Sequence, residues 1–172
     1  MNKFIIKITT EDDTLLKDSS IECVILPDSF SKDFYKKASL SEKIILVKGE
    51  NAIEVCKENN LDGITCDLSK SEQIKKDVAD IRSRLGDKIL GLITRSRRHE
   101  AMLVSEQEPD FVIFKVWKDG IENIEELLGW YNDFFLIQSA ALIEDDDINI
   151  NNLRVDIVIL KDTQYKKFVA KN

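Results

Sequence analysis

Apolar runs of five to seven residues, rich in β-branched and aromatic side chains, recur along the chain, separated by polar stretches with helical spacing. They are FIIKI from Phe4, IECVIL from Ile21, KIILVK from Lys43, LDGITCD from Leu61, KILGLIT from Lys88, DFVIFKV from Asp110, FFLIQS from Phe134 and VDIVIL from Val155. Several are apolar at consecutive positions, the pattern of parallel strands covered on both faces. Between them, Ser69 and Glu72 have capping-box spacing, Ile74, Val78, Ile81 and Leu85 form one stripe, and Gly86 supplies a left-handed stop. Asn51 opens a second helix that turns Ala52, Val55 and Cys56 inward. Ile121, Ile124, Leu128 and Tyr131 mark a third, and weaker helical stretches follow Ser29, Arg95 and Thr163. The segment EDDDININ, between the seventh and eighth strands, is too short and acidic for a full helix and reads as a bare loop or a single turn.

Strict alternation of strand and helix selects a parallel sheet with right-handed crossovers, either closed or open and doubly wound. Eight strands favour closure, whereas the 172 residues are few against the roughly 250 usual for such barrels. The expected fold class is α/β, a compact, shortened parallel (β/α) TIM-type barrel with one vestigial helix, and residues 1–172 are expected to form a single domain. An open nucleotide-binding sheet would carry a glycine-rich loop after its first strand, and TTEDDT has no glycine.

A hydrophobic content of 43% supplies a core, and the net charge of −7, spread along the chain, argues against nucleic acid as a partner. The N-terminal apolar stretch is too short for a signal peptide and no run is long enough to cross a bilayer, so no membrane partner and a cytoplasmic location are expected. Cys23, Cys56 and Cys66 each sit in an apolar segment without C-x-x-C spacing and read as buried thiols, with the only histidine, His99, in a different segment.

The segment from Lys43 to Lys161 resembles the thiamine-phosphate synthase and TenI family of barrels. The anchors are Asp62-Gly63, the passage Leu85-Gly86-Asp87-Lys88-Ile89-Leu90-Gly91, and Pro109-Asp110-Phe111. That resemblance implies a barrel mouth joining a pyrimidine diphosphate to a thiazole phosphate with magnesium, and a dimer. The family's catalytic run at the second strand is here Ile25-Leu26-Pro27. Its metal-binding pair at the third is Lys48-Gly49, its phosphate glycines at the sixth are Ile113 and Lys115, and those at the seventh are Gln138-Ser139. The resemblance therefore implies a degenerate site without the condensation activity, taking a small anionic metabolite or a protein partner and needing no cofactor. The alternative it implies is an active transferase of thiamine biosynthesis, with magnesium and an altered site.

In any such barrel the ligand site forms where strands end and helices begin. The residues expected there are Lys48, Asp67, Arg95, Lys115, Gln138 and Lys161, with Asp28 beside them. Cations outnumber carboxylates in this set, which suits an anionic ligand, while long charged side chains at strand ends are also commonly just solvated. A desolvated Lys115 or Lys161 would be able to form a Schiff base. Arg95, Arg97, Arg98 and His99 open the helix after the fifth strand as a second anion-binding candidate. Trp117 and Trp130 read first as core residues.

Overall fold

The computed structural model describes residues 3–171. Eight strands close in chain order into one parallel barrel: β1 (Lys3–Lys7), β2 (Cys23–Pro27), β3 (Ile44–Lys48), β4 (Gly63–Asp67), β5 (Ile89–Ile93), β6 (Phe111–Val116), β7 (Gln138–Ile143) and β8 (Ile157–Lys161). The seam is well made, since β1 pairs with β8 from Lys3 opposite Ile157 to Lys7 opposite Lys161.

Six helices cover the outside: α1 (Lys32–Ser39), α2 (Ala52–Glu58), α3 (Ile74–Leu85), α4 (Arg98–Ser105), α5 (Ile121–Phe134) and α6 (Asp162–Lys171). The connections after β1 and β7 hold only single 3₁₀ turns, Leu15–Lys17 and Ile150–Asn152. Two helices of the series are thus reduced, where the sequence pattern led us to expect one. Both turns still do a helix's covering work, because Leu15, Leu16 and Ile150 are buried against the sheet. These turns, with strands of five or six residues, explain how so short a chain closes a barrel.

The two faces of each strand separate cleanly. Ile5, Ile25, Leu46, Phe111, Ile113, Ala140, Leu142, Ile157 and Ile159 fill the barrel interior. Their register partners, such as Ile5 with Ile159, Ile25 with Leu46 and Ile113 with Ala140, belong to the same inner set. The alternate residues, among them Ile6, Val24, Ile45, Leu90, Val112 and Phe114, meet Val78, Ala101, Leu128 and Tyr131 of the helices. This is why the strands read as apolar at consecutive positions. Inside, Gly91 makes room for Phe111, whose ring stands 2.4 Å from where a Cβ on Gly91 would lie.

A repeated device ties the N-terminal ends of the strands. Asp62, Asp110 and Asp156 each precede an even-numbered strand and accept the backbone N–H of the second residue of the strand before it, from Ile45 (2.8 Å), Leu90 (2.7 Å) and Ser139 (2.9 Å). Lys43 and Lys88, each one residue before an odd-numbered strand, donate to the carbonyls of Ile21 (2.5 Å) and Leu61 (2.6 Å). Leu90 is fully buried, so Asp110→Ala would strand its N–H. We expect a loss of about 1–2 kcal/mol in urea unfolding, and an unchanged midpoint would show that the clamp carries no stability.

Two local expectations are corrected. Ser69 and Glu72 do not cap α3, which starts later at Ile74 with no side-chain cap on its N-cap residue, Gln73. Ser71 takes the local role instead, accepting from the Gln73 N–H (3.2 Å) and donating to Asp77 (2.5 Å). Gly86 does end the helix with a positive φ of 72°. The seventh strand runs over Gln138–Ile143 rather than from Phe134 to Ser139. Phe134 ends α5, and Phe135 stacks on Tyr131 at 4.8 Å, so the aromatic pair extends the helix face and the sheet uses the small residues Ala140 and Ala141.

Candidate functional site

At the C-terminal end of the barrel the inward positions change from apolar residues, or Thr65 on β4, to charged ones within one alternation. Ile5 is followed by Lys7, Leu46 by Lys48, Thr65 by Asp67, Ile113 by Lys115, Leu142 by Glu144 and Ile159 by Lys161. A cavity of about 540 Å³ opens there, its charged lining made of Lys7, Lys48 and Lys115 with Glu50, Asp67 and Glu144, above a floor that includes Ile25, Ile113 and Ile159. Lys161 stands beside it, in register with Lys7 on the neighbouring strand.

The mouth divides into two sectors. On one side Lys115 donates to Asp67 at 2.8 Å. Burial alone would raise the Asp67 carboxyl, but hydrogen bonds from Lys115 and from Ser69 outweigh it and hold the group below the ordinary carboxylate range. On the other side Lys7, Lys48 and Lys161, from β1, β3 and β8, form no salt bridge among the described residues. Burial, followed by the charge of Lys48, pushes the Lys7 ammonium below its usual range. Lys161 and Lys115 push the same way and Glu144 opposes them. The sector is held by Asp162, a buried carboxylate at the head of α6 that accepts from the Thr9 N–H (2.9 Å), the Thr9 hydroxyl and the Thr163 N–H (2.8 Å). That anchors the exit of β1 to the end of β8.

Of the expected residues, Lys48, Asp67, Lys115 and Lys161 converge at the mouth. Arg95 does not line it. Its Nε donates to the Ser69 carbonyl at 2.8 Å, so the guanidinium staples the β4 loop to the β5 loop. Gln138 is at the opposite end of the barrel, as the first residue of β7, a direct result of the strand's shift. Asp28 also serves the frame: it accepts from the Asn51 N–H at 2.8 Å and lies 2.3 Å from where a Cβ on Gly49 would sit, where φ is 124°. Arg98 pairs with Glu126 at 3.5 Å and covers the Trp130 ring at 5.1 Å, which takes it to the α4–α5 surface. The arginine cluster is therefore no joint anion grip. Trp117 is exposed, against its expected place in the core, while Trp130 is partly buried.

Lys7 and Glu144 escaped the sequence reading. Lys7 lay inside FIIKI, and only the alternation of Ile5 and Lys7 against Ile6 and Ile8 would have turned it into the mouth. Glu144 was hidden by the misplaced seventh strand. The cysteines are free; burial, with the Asp62 charge, pushes Cys23 up to about 12, and burial also raises Cys56 and Cys66, so none is a ready nucleophile. Among the described residues there is no group of three or more His, Cys, Asp or Glu side chains placed to hold a metal ion. No described helix is long and apolar enough to cross a membrane.

The architecture is that of a compact TIM-type barrel with a charged mouth. Solved structures share this barrel fold. One is a mutant tryptophan synthase alpha-subunit from Pyrococcus furiosus (TM-score 0.69, 10% identity, covering 99% of this chain and 90% of that one). Another is 3-keto-L-gulonate-6-phosphate decarboxylase from Vibrio cholerae (TM-score 0.65, 9% identity, covering 93% and 87%). A third is the YdjI aldolase from Escherichia coli K12 (TM-score 0.58, 10% identity, covering 93% and 74%). At such identities the likeness shows the fold alone. No family model matches the sequence, and no curated protein matches it.

The resemblance to the thiamine-phosphate synthase and TenI family is accordingly corrected, since these structural neighbours belong to other barrels. Two of its anchors, Asp62-Gly63 and Pro109-Asp110-Phe111, are strand-start clamps that serve closure of the barrel. The magnesium, the thiamine substrates and the idea of a degenerate site rested on that resemblance and have no other support.

Proposed function

We propose that the protein binds a small anionic metabolite in the barrel mouth, with Lys7, Lys48 and Lys161 facing its phosphate or carboxylate and the Asp67–Lys115 pair forming the opposite wall. The observation that carries this reading is the gathering of three lysines without ion pairs beside a cavity of about 540 Å³. Its size falls in the ordinary range for small-molecule sites, roughly 300–1,000 Å³. A chain with net charge −7 has no general attraction for anions, so anion affinity would have to come from a local arrangement such as the side of Lys7, Lys48 and the adjacent Lys161, in a cavity whose other charged lining residues are Lys115, Glu50, Asp67 and Glu144. The apolar floor of Ile25, Ile113 and Ile159 suits the carbon skeleton of the ligand.

The test is thermal unfolding with inorganic phosphate, pyrophosphate and citrate, each matched in ionic strength with sodium chloride. A ligand at one hundred times its Kd adds about 2.7 kcal/mol of stability by mass action, so at least one of these anions is expected to raise the unfolding temperature of the wild type and not of the Lys48→Gln/Lys161→Gln variant. Equal curves in all salts would remove the reading.

A further inference from the structure

We propose that Lys7 captures a carbonyl group, its Nζ forming an imine with the aldehyde or ketone of an anionic oxo compound held by Lys48 and Lys161. This rests on the anion-binding reading of the same mouth and adds a covalent step to it.

The four lysines of the mouth are not equivalent. Lys115 is bound to Asp67 at 2.8 Å, so its Nζ is already engaged with the opposite wall. Lys48 is exposed. Lys7 is half-buried on the inner face, next in line above Ile5, lines the cavity and has no ion-pair partner among the described residues. Burial first, and then the charges of Lys48, Lys161 and Lys115, favour its neutral amine, against the charge of Glu144. Glu144 lines the same cavity and is the carboxylate whose charge reaches Lys7, so it is placed to carry protons there.

The chemistry balances with these groups alone. The neutral amine of Lys7 adds to the carbonyl carbon, and Glu144 carries one N–H proton to the resulting alkoxide, giving a carbinolamine. The nitrogen lone pair then expels the hydroxyl, which takes the second N–H proton by way of Glu144 and leaves as water. The C=N bond replaces C=O, one water is released, and nothing is oxidised or reduced. An anionic substituent on the carbonyl compound would be drawn to the lysine sector and hold the carbonyl carbon near Nζ.

Equimolar pyridoxal 5′-phosphate, and separately pyruvate, would be added to the whole chain, followed by borohydride and peptide mapping by mass spectrometry. One reduced adduct on Lys7 is expected, formed faster than at any other lysine by about an order of magnitude, slowed by inorganic phosphate and lost in Lys7→Arg. Mapping on the wild-type chain needs no variant, and the unfolding midpoint of Lys7→Arg shows whether that variant is folded. Adducts spread evenly over surface lysines, or confined to the terminal amine, would overturn the inference. Stabilisation by phosphate without an adduct on Lys7 would overturn it and leave the anion site standing. An adduct on Lys7 in a protein indifferent to phosphate would uphold the imine and remove the anion site.

Discussion

Gly63→Ala is expected to cost about 3 kcal/mol or more and to loosen the barrel between β4 and β5. A Cβ at that position would lie 2.2 Å from the carbonyl oxygen of Ile89 and 2.6 Å from its Cβ. Gly63 and Ile89 are register partners, and the Ile89 N–H is already committed to the Asp62 carbonyl at 3.0 Å. The obstacle is thus backbone within the ladder itself, which cannot move aside without breaking the pairing it belongs to. Gly91 is a milder case, because the Phe111 ring that would meet its Cβ belongs to a side chain with some freedom to turn. Urea unfolding should place Gly63→Ala far below the wild type; a midpoint close to the wild-type value would show that β4 and β5 are spaced more loosely than described.

The second large effect concerns function and stability together. Lys7→Met is expected to weaken anion binding by on the order of tenfold or more, since it removes one charged hydrogen-bond donor worth about 1.5–3 kcal/mol. The same change should stabilise the fold by about 1 kcal/mol, a figure already reduced for the solvent that still reaches Lys7. Burial and three neighbouring lysines set the folded pKa of Lys7 below its unfolded value. The charged form is therefore disfavoured on folding, and its cost is fully present below the folded pKa. It disappears as pH rises through that value toward the ordinary lysine range. The stability gap between Lys7→Met and wild type should consequently be widest at neutral pH and narrow on the alkaline side. A variant less stable than wild type at neutral pH would mean that Lys7 supports the fold and is not held there at its expense.

Most of the fold could be read from the chain because its signals were local. Apolar runs marked seven of the eight strands and the existence of the seventh, Gly86 stopped α3, and the stripe from Ile74 to Leu85 gave that helix its face. What failed depended on contacts between distant residues. Phe134 and Phe135 have strand-like chemistry, and ring contacts of Phe134 with Trp130 and of Phe135 with Tyr131 hold them at the end of α5. That single shift carried Gln138 away from the mouth and concealed Glu144. Arg95 stood at the right place in the chain, but a hydrogen bond to Ser69 from 26 residues away decides where its guanidinium points. Lys7 was readable in principle, from the parity of Ile5 and Lys7, once the end of β1 is known to fall at the seventh residue. The turns behind the family resemblance show the opposite danger, for a sequence pattern that closes a barrel carries no information about what the barrel binds.

Whether the barrel mouth binds anions through its lysines is decided by isothermal titration of the wild type and of Lys7→Met/Lys48→Met with inorganic phosphate, at fixed ionic strength and neutral pH. Saturable binding of one phosphate by the wild type and its loss in a still-folded variant are expected. Absence of binding in the wild type, or equal binding by both proteins, would contradict anion binding by these lysines.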